Sequence, residues 1–184
     1  GPVAECLADS EPAARAGAAH ALGELDPAAA LPLLRFKLAI GDSHPEVGGA
    51  CFGSFLDHAP EQALPLAARW LEGPSDADAE AVALALGESR KPQAFPLLRD
   101  FGARAGDEGR AVAFVALALL RDEKATAYLL EVVATGQKSP AADAVRALAT
   151  FRHDPRLKQQ VLDCATCRGD PELLSLATRT FERD

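Results

Sequence analysis

The phrase ALGELDPAAALPLL, residues 21–34, returns 64 residues later as ALGESRKPQAFPLL, residues 85–98, and matches it at eight of fourteen positions without a gap. This repeat constrains the fold more than composition does. Each copy must be one supersecondary unit, and neighbouring copies must share a core that no copy can close alone. Anchored on the Gly of ALG, degenerate copies follow at Gly23, Gly53, Gly87, Leu120, Ala149 and Arg179, spaced 30, 34, 33, 29 and 30 residues apart. The two obvious copies are therefore the first and third members of a five-fold series that ends in a half unit.

Each unit reads as two helices. The first is Ala-rich, as in EPAARAGAAHALGEL; the second opens with a cap and a proline, as in DPAAALPLLRFKLAIG. Asp26-Pro27 fits an N-cap followed by proline at the first helical position, and Gly41, Gly73 and Gly136 fit helix ends. Glu11-Pro12, His44-Pro45, Ser139-Pro140 and Asp170-Pro171 punctuate the chain in the same way. The spacing predicts repeats near 11–41, 44–73, 75–106, 108–136 and 139–169, with a half repeat at 170–184, all in one domain over 3–184. Pro32, Pro65 and Pro96 fall inside the second helices, which are expected to begin late or to kink there. Period-two alternation is absent, and Ala, Leu, Glu and Arg dominate the periodic segments. The expectation is an all-α array of ten to eleven helices with no sheet. Leu22, Leu33, Leu34, Leu66, Leu86, Leu97, Leu98, Leu119, Leu129, Leu130, Leu148 and Leu162 should form its core.

Helix pairs of about 30 residues carrying R-x-x-A-A-x-A-L-G are a signature of HEAT-like repeats. RAGAAHALG, residues 15–23, carries that pattern in full. The chain resembles this class over nearly its whole length, and its short unit resembles the subgroup named after phycobilisome lyase repeats. After the first copy the Arg position becomes Pro45, Ala79, Val112 and Ala141. The resemblance implies an α-solenoid of about five helix-pair repeats plus a terminal half repeat, with right-handed stacking and the second helices lining the concave side. It implies little about activity, since the class includes a di-iron hydroxylase type, bilin lyases, DNA glycosylases and plain scaffolds.

Each enzymatic option would leave its own residues. The hydroxylase type resembles a solenoid with several His-Glu dipeptides; here the histidines read His20-Ala21, His44-Pro45, His58-Ala59 and His153-Asp154. His20, in an Ala-rich helix, is expected to be partly buried, and His44 and His58 to sit at helix boundaries. Cys164 and Cys167 have the spacing of half a zinc site, but no nearby His or Cys completes it. With Cys6 and Cys51 they read as free thiols of a reducing compartment. No metal, disulfide or cofactor is expected. A glycosylase type would need a basic face with aromatic residues, whereas the chain carries net charge −8 with a single Trp70 and a single Tyr128. That charge argues against a general nucleic-acid or anionic-membrane binder. The longest apolar run, residues 111–120, is about half of what a membrane-spanning helix needs. The opening Gly1-Pro2 and the absence of methionine read as the remnant of a protease cleavage, with native termini and targeting signals missing.

Charge is unevenly placed. The five second-helix windows sum to +3, leaving −11 for the remainder. Aligning those helices on Leu33-Leu34, Leu66-Ala67, Leu97-Leu98, Leu129-Leu130 and Val161-Leu162 makes the next column Arg35, Ala68, Arg99, Glu131 and Asp163. One step on lie Phe36, Arg69, Asp100, Val132 and Cys164, with Trp70 beside Arg69. Arg35, Arg69, Trp70, Arg99, Glu131 and Asp163 are the candidate partner-binding residues, unless Arg99 and Glu131 simply pair with each other. The expected function is a cytoplasmic, monomeric, non-enzymatic scaffold or adaptor that binds a protein partner. The alternative is a lyase-like or glycosylase-like enzyme, or a nucleic-acid binder, using a faintly basic concave ridge.

Overall fold

A computed structural model describes residues 2–73 and 76–182. Gly1, Pro74, Ser75, Arg183 and Asp184 lie outside it, and with them the expected start of the third repeat at residue 75 and the last two residues of the half repeat. The described residues form twelve α-helices and one 3₁₀ turn, with no strand. They are α1 Pro2–Cys6, α2 Pro12–Gly23, α3 Pro27–Ile40, α4 Pro45–His58, α5 Pro60–Leu71, α6 Asp76–Glu88, α7 Ala94–Arg104, α8 Asp107–Leu119, α9 Glu123–Thr135, α10 Lys138–Leu148, α11 Pro155–Arg168 and α12 Pro171–Glu182. The chain divides into two compact units, Gly1–Ser89 and Arg90–Asp184.

Local chemistry explains the boundaries. Proline occupies the first position of α2, α3, α4, α5, α11 and α12, where its missing N–H is not needed. Asp26, Asp122, Asp154 and Asp170 accept hydrogen bonds from the free backbone N–H groups of α3, α9, α11 and α12. Ser139-Pro140 behaves differently: α10 begins at Lys138, so Pro140 sits in its first turn. Pro96 also falls in a first turn, because α7 begins late, at Ala94. α3 and α5 do not begin late; they run past Pro32 and Pro65, where the backbone bond proline removes is given up.

In the first unit, α2, α4 and α6 pack side by side in one layer, with α3 laid on α4 and α5 on α4 and α6. The layer is close because small residues face each other. A Cβ on Gly23 would lie 2.9 Å from Ser54 Oγ, and one on Gly49 would lie 3.2 Å from the Ala81 backbone oxygen. Ser54, itself buried, donates to the Ala19 carbonyl at 2.8 Å. In the second unit α8, α10 and α12 form the corresponding layer, α9 packs on α10 and α11, and α7 packs on α8.

The second helices bury one narrow stripe each, spaced by four residues. It comprises Ala30, Leu34 and Leu38 in α3; Ala63, Ala67 and Leu71 in α5; Ala94, Leu98 and Gly102 in α7; Ala125, Leu129 and Val133 in α9; and Leu157, Val161 and Ala165 in α11. Side chains four apart lie one above another on a helix, so each stripe is a single contact ridge. Half of the expected core leucines lie on it or in the Ala-rich layer: Leu22, Leu34, Leu86, Leu98, Leu129 and Leu148 are buried. Leu33, Leu66, Leu97, Leu130 and Leu162 are only half-buried, because each stands beside the ridge and not on it, and Leu119, the last residue of α8, is half-buried as well.

Two ion-pair latches brace the layers: one ties α2 and α3 to the turn before α4, the other ties α8 to α10. In the first unit Arg15, the arginine of RAGAAHALG, donates to both Asp42 carboxylate oxygens at 2.8 and 2.7 Å and to the Asp9 and Ser10 carbonyls. Lys37 reaches the same carboxylate at 2.7 Å. This holds Asp42 well below the usual carboxylate range, chiefly through the Arg15 hydrogen bonds, against the opposing effect of burial. In the second unit Arg110 donates to Asp143 and to Ser139, and pairs with Asp107.

Candidate functional site

In the first unit α3 and α5 barely touch, although both pack on α4. The gap is a cleft of about 410 Å³ lined by Arg35, Leu38 and Ala39 of α3, Phe55 of α4, and Gln62, Pro65, Leu66 and Arg69 of α5. It adjoins a second cleft of about 510 Å³, which shares Leu38, Ala39, Leu66 and Arg69 and adds Trp70, Gly73 and Asp78.

Helical geometry brings these side chains together. Arg35 follows buried Leu34 by one residue, about 100° round the helix, and so turns toward α5. Arg69 follows buried Ala67 by two residues, about 200°, which turns it back toward α3. The Arg35 guanidinium donates to Gln62 Oε1 at 3.3 Å across the cleft. Among the described residues neither Arg35 nor Arg69 forms an ion pair. Trp70 is half-buried, its ring lying over Gly48, where an added Cβ would sit in ordinary contact 3.7 Å from the ring. The outer face of α3 adds Phe36 and Ile40, 64 % and 60 % exposed and one helical turn apart.

Of the six residues singled out in the sequence, Arg35 and Arg69 share one cleft, and Arg69 and Trp70 share the cleft adjoining it. The other three lie in the second unit and do not form one feature. Arg99 pairs with Asp100 at 2.9 Å and stands 5.8 Å from the Phe95 ring centroid. Its ion-pair partner is Asp100, its neighbour in the chain, and not Glu131. Glu131 is exposed, and exposed Asp163 accepts from Gln159 Nε2 at 2.7 Å. Counted from the buried ridge, Arg35 and Arg99 share a column, while Glu131 and Asp163 fall one step on, in the column of Phe36, Arg69 and Asp100. The sequence alignment merged the two columns. Leu38 and Gln62, which help build the cleft, escaped it, and Leu66 entered it only as a core residue. The signal that would have found them is the four-residue spacing of Ala30, Leu34 and Leu38 against Ala63, Ala67 and Leu71.

The remaining candidates for chemistry are dispersed. His20 is exposed, not partly buried. His44 precedes α4, with Nδ1 3.2 Å from an Arg15 nitrogen, and His58 reaches the Leu22 carbonyl at 3.4 Å. All four cysteines are free; burial pushes the Cys51 thiol up to about 11 and also raises Cys164. Among the described residues no group of three or more His, Cys, Asp or Glu side chains is placed to hold a metal ion, and no helix is long and apolar enough to cross a membrane. No protein-family model matches the chain, and no curated protein matches it at a significant level.

Proposed function

We propose that the chain is a protein-binding module, a HEAT-like α-solenoid in which the cleft between α3 and α5 receives a partner. The observation that carries this reading is the pair of adjoining clefts that share Leu38, Ala39, Leu66 and Arg69, with Arg35 lining one and Trp70 the other. Arginine and tryptophan are the residues that most often dominate binding energy when they flank a pocket. The solenoid reading is supported by the layered packing within each unit and by the buried ridge that recurs in five second helices. A reducing, cytoplasmic setting suits four free thiols. No catalytic role is assigned to any residue.

The test is capture from cell extract by the full chain and by an Arg35→Glu/Arg69→Glu variant. Both arginines are exposed, so the variant should keep its helical circular dichroism and thermal midpoint. The expected result is selective loss of a subset of captured proteins. An identical captured set from both chains would place binding elsewhere.

A further inference from the structure

Charge in the two units is far from even. The first carries fourteen Asp and Glu side chains against four Lys and Arg, a net −10, while the second carries thirteen against fifteen, a net +2. In a unit so rich in carboxylates, every cation could find an acidic neighbour. Arg15 and Lys37 do, both on Asp42. The remaining two cations, Arg35 and Arg69, are in no ion pair among the described residues, and both line the same cleft.

We infer that this cleft selects an acidic and apolar peptide segment of a partner protein, its carboxylates answering Arg35 and Arg69 and its apolar side chain filling the floor toward Trp70. This rests on the protein-binding reading above and names what that partner must carry. Arg35 and Gln62 line the first cleft, Trp70 and Gly73 the one adjoining it, and Arg69, Leu38, Ala39 and Leu66 line both. A carboxylate suits Arg35 and Arg69, and an apolar side chain next to it in the segment suits Leu66 and Trp70. Guanidinium takes a carboxylate through paired N–H donors, a geometry lysine cannot supply. The net −10 of the unit repels any anionic partner at long range, whereas the two arginines attract it on contact. Salt screens the first effect more than the second, because the distant charges lie beyond the Debye length, about 8 Å at physiological ionic strength. Binding of such a segment should therefore not weaken steeply with salt, unlike binding of a phosphate backbone.

A random 12-residue phage-displayed library panned against the full chain tests this, with the selected peptides synthesised and titrated by the emission of Trp70, the single tryptophan. The expected peptides are enriched in Asp or Glu next to an aliphatic or aromatic residue. They should lose at least tenfold in affinity when the acids become Asn or Gln, and lose as much against Arg35→Gln/Arg69→Gln. Peptides without an acidic excess that are still weakened by Leu66→Asp overturn the acidic segment and leave the cleft standing. Peptides indifferent to both variants, or none selected at all, overturn the cleft itself. A 12-nucleotide oligothymidylate that changes Trp70 emission at lower concentration than any peptide, with a steep salt dependence, replaces the protein partner with nucleic acid.

Discussion

The α3–α5 cleft and the space between α7 and α9 are the same place in the two units, and they have opposite contents. Aligned on the buried ridge, Leu66 corresponds to Tyr128, Arg69 to Glu131, and Arg35 to Arg99. In the second unit Tyr128 fills the space, meeting Phe95 at 6.2 Å and Phe114 at 6.3 Å between ring centroids, both edge-on. Burial raises its hydroxyl, and Arg99 is neutralised by Asp100. In the first unit a leucine replaces the ring, leaving the space open, and the residue next to Arg35 is Phe36, not an acid. A cleft can therefore be made or removed by very few side chains while the backbone pattern stays the same. An aromatic plug converts a receptive surface into part of the core.

That contrast can be broken at its centre. Tyr128→Ala removes the plug and its two edge-on ring contacts and should cost about 2–3 kcal/mol. Leu66→Ala, at the corresponding place, removes a half-buried side chain from an already open cleft and should cost about 1 kcal/mol or less. Urea denaturation of the two variants measures both. Equal losses would mean that the second unit is no better filled than the first.

The latches differ in the same sense. Asp42 is the shared acceptor of Arg15 and Lys37, its side chain only 5 % exposed. Asp42→Asn should lower the thermal midpoint by about 5 °C at neutral pH. Asp143→Asn should lower it less, since Arg110 keeps Asp107 and Ser139. Because folding depresses the Asp42 carboxyl, its contribution is complete above the unfolded value of about 4 and is lost as pH falls through the folded value. The gap between the natural chain and Asp42→Asn should narrow steadily below pH about 4. Midpoints followed from pH 7 downward check the sign.

The turns give the smallest effect. Arg90 and Arg121, both in the second unit, sit at φ 53° and 52°, a left-handed conformation that a Cβ disfavours by about 1 kcal/mol. Arg90→Gly should stabilise by about that amount. Arg121→Gly should be close to neutral, because Arg121 stacks over Phe151 at 4.4 Å from the ring centroid and that contact is lost. Chemical denaturation of the two variants side by side resolves the difference.

The helices themselves were written in the sequence. Asp-Pro and Glu-Pro starts, glycine ends and small-residue faces are local signals, and local hydrogen bonding decides them. The RAGAAHALG pattern marked Arg15, but not its partner: Asp42 stands 27 residues on, and only folding brings the two together. The second latch was hidden, because Arg110 stands two residues before Val112, the position the spacing assigned to it. Arg35, Arg69 and Trp70 were found as charged or aromatic neighbours of the apolar pairs, but grouped with Arg99, Glu131 and Asp163, which lie in the other unit.

Only tertiary packing decided the register of those columns. Leu33-Leu34 and Leu129-Leu130 are the same dipeptide, yet the second leucine is buried in α3 and the first in α9. Nothing within the dipeptide chooses between them; the choice is made by which rotation seats the four-residue ridge on the layer beneath. One residue of slip turns a side chain about 100° around the helix. That angle separates Arg35, which faces the cleft from α3, from Phe36, which stands beside it in the chain and looks out to solvent. Sequence periodicity therefore determined that there would be second helices with an apolar stripe, and the packed layer determined which side chains look into the space between them.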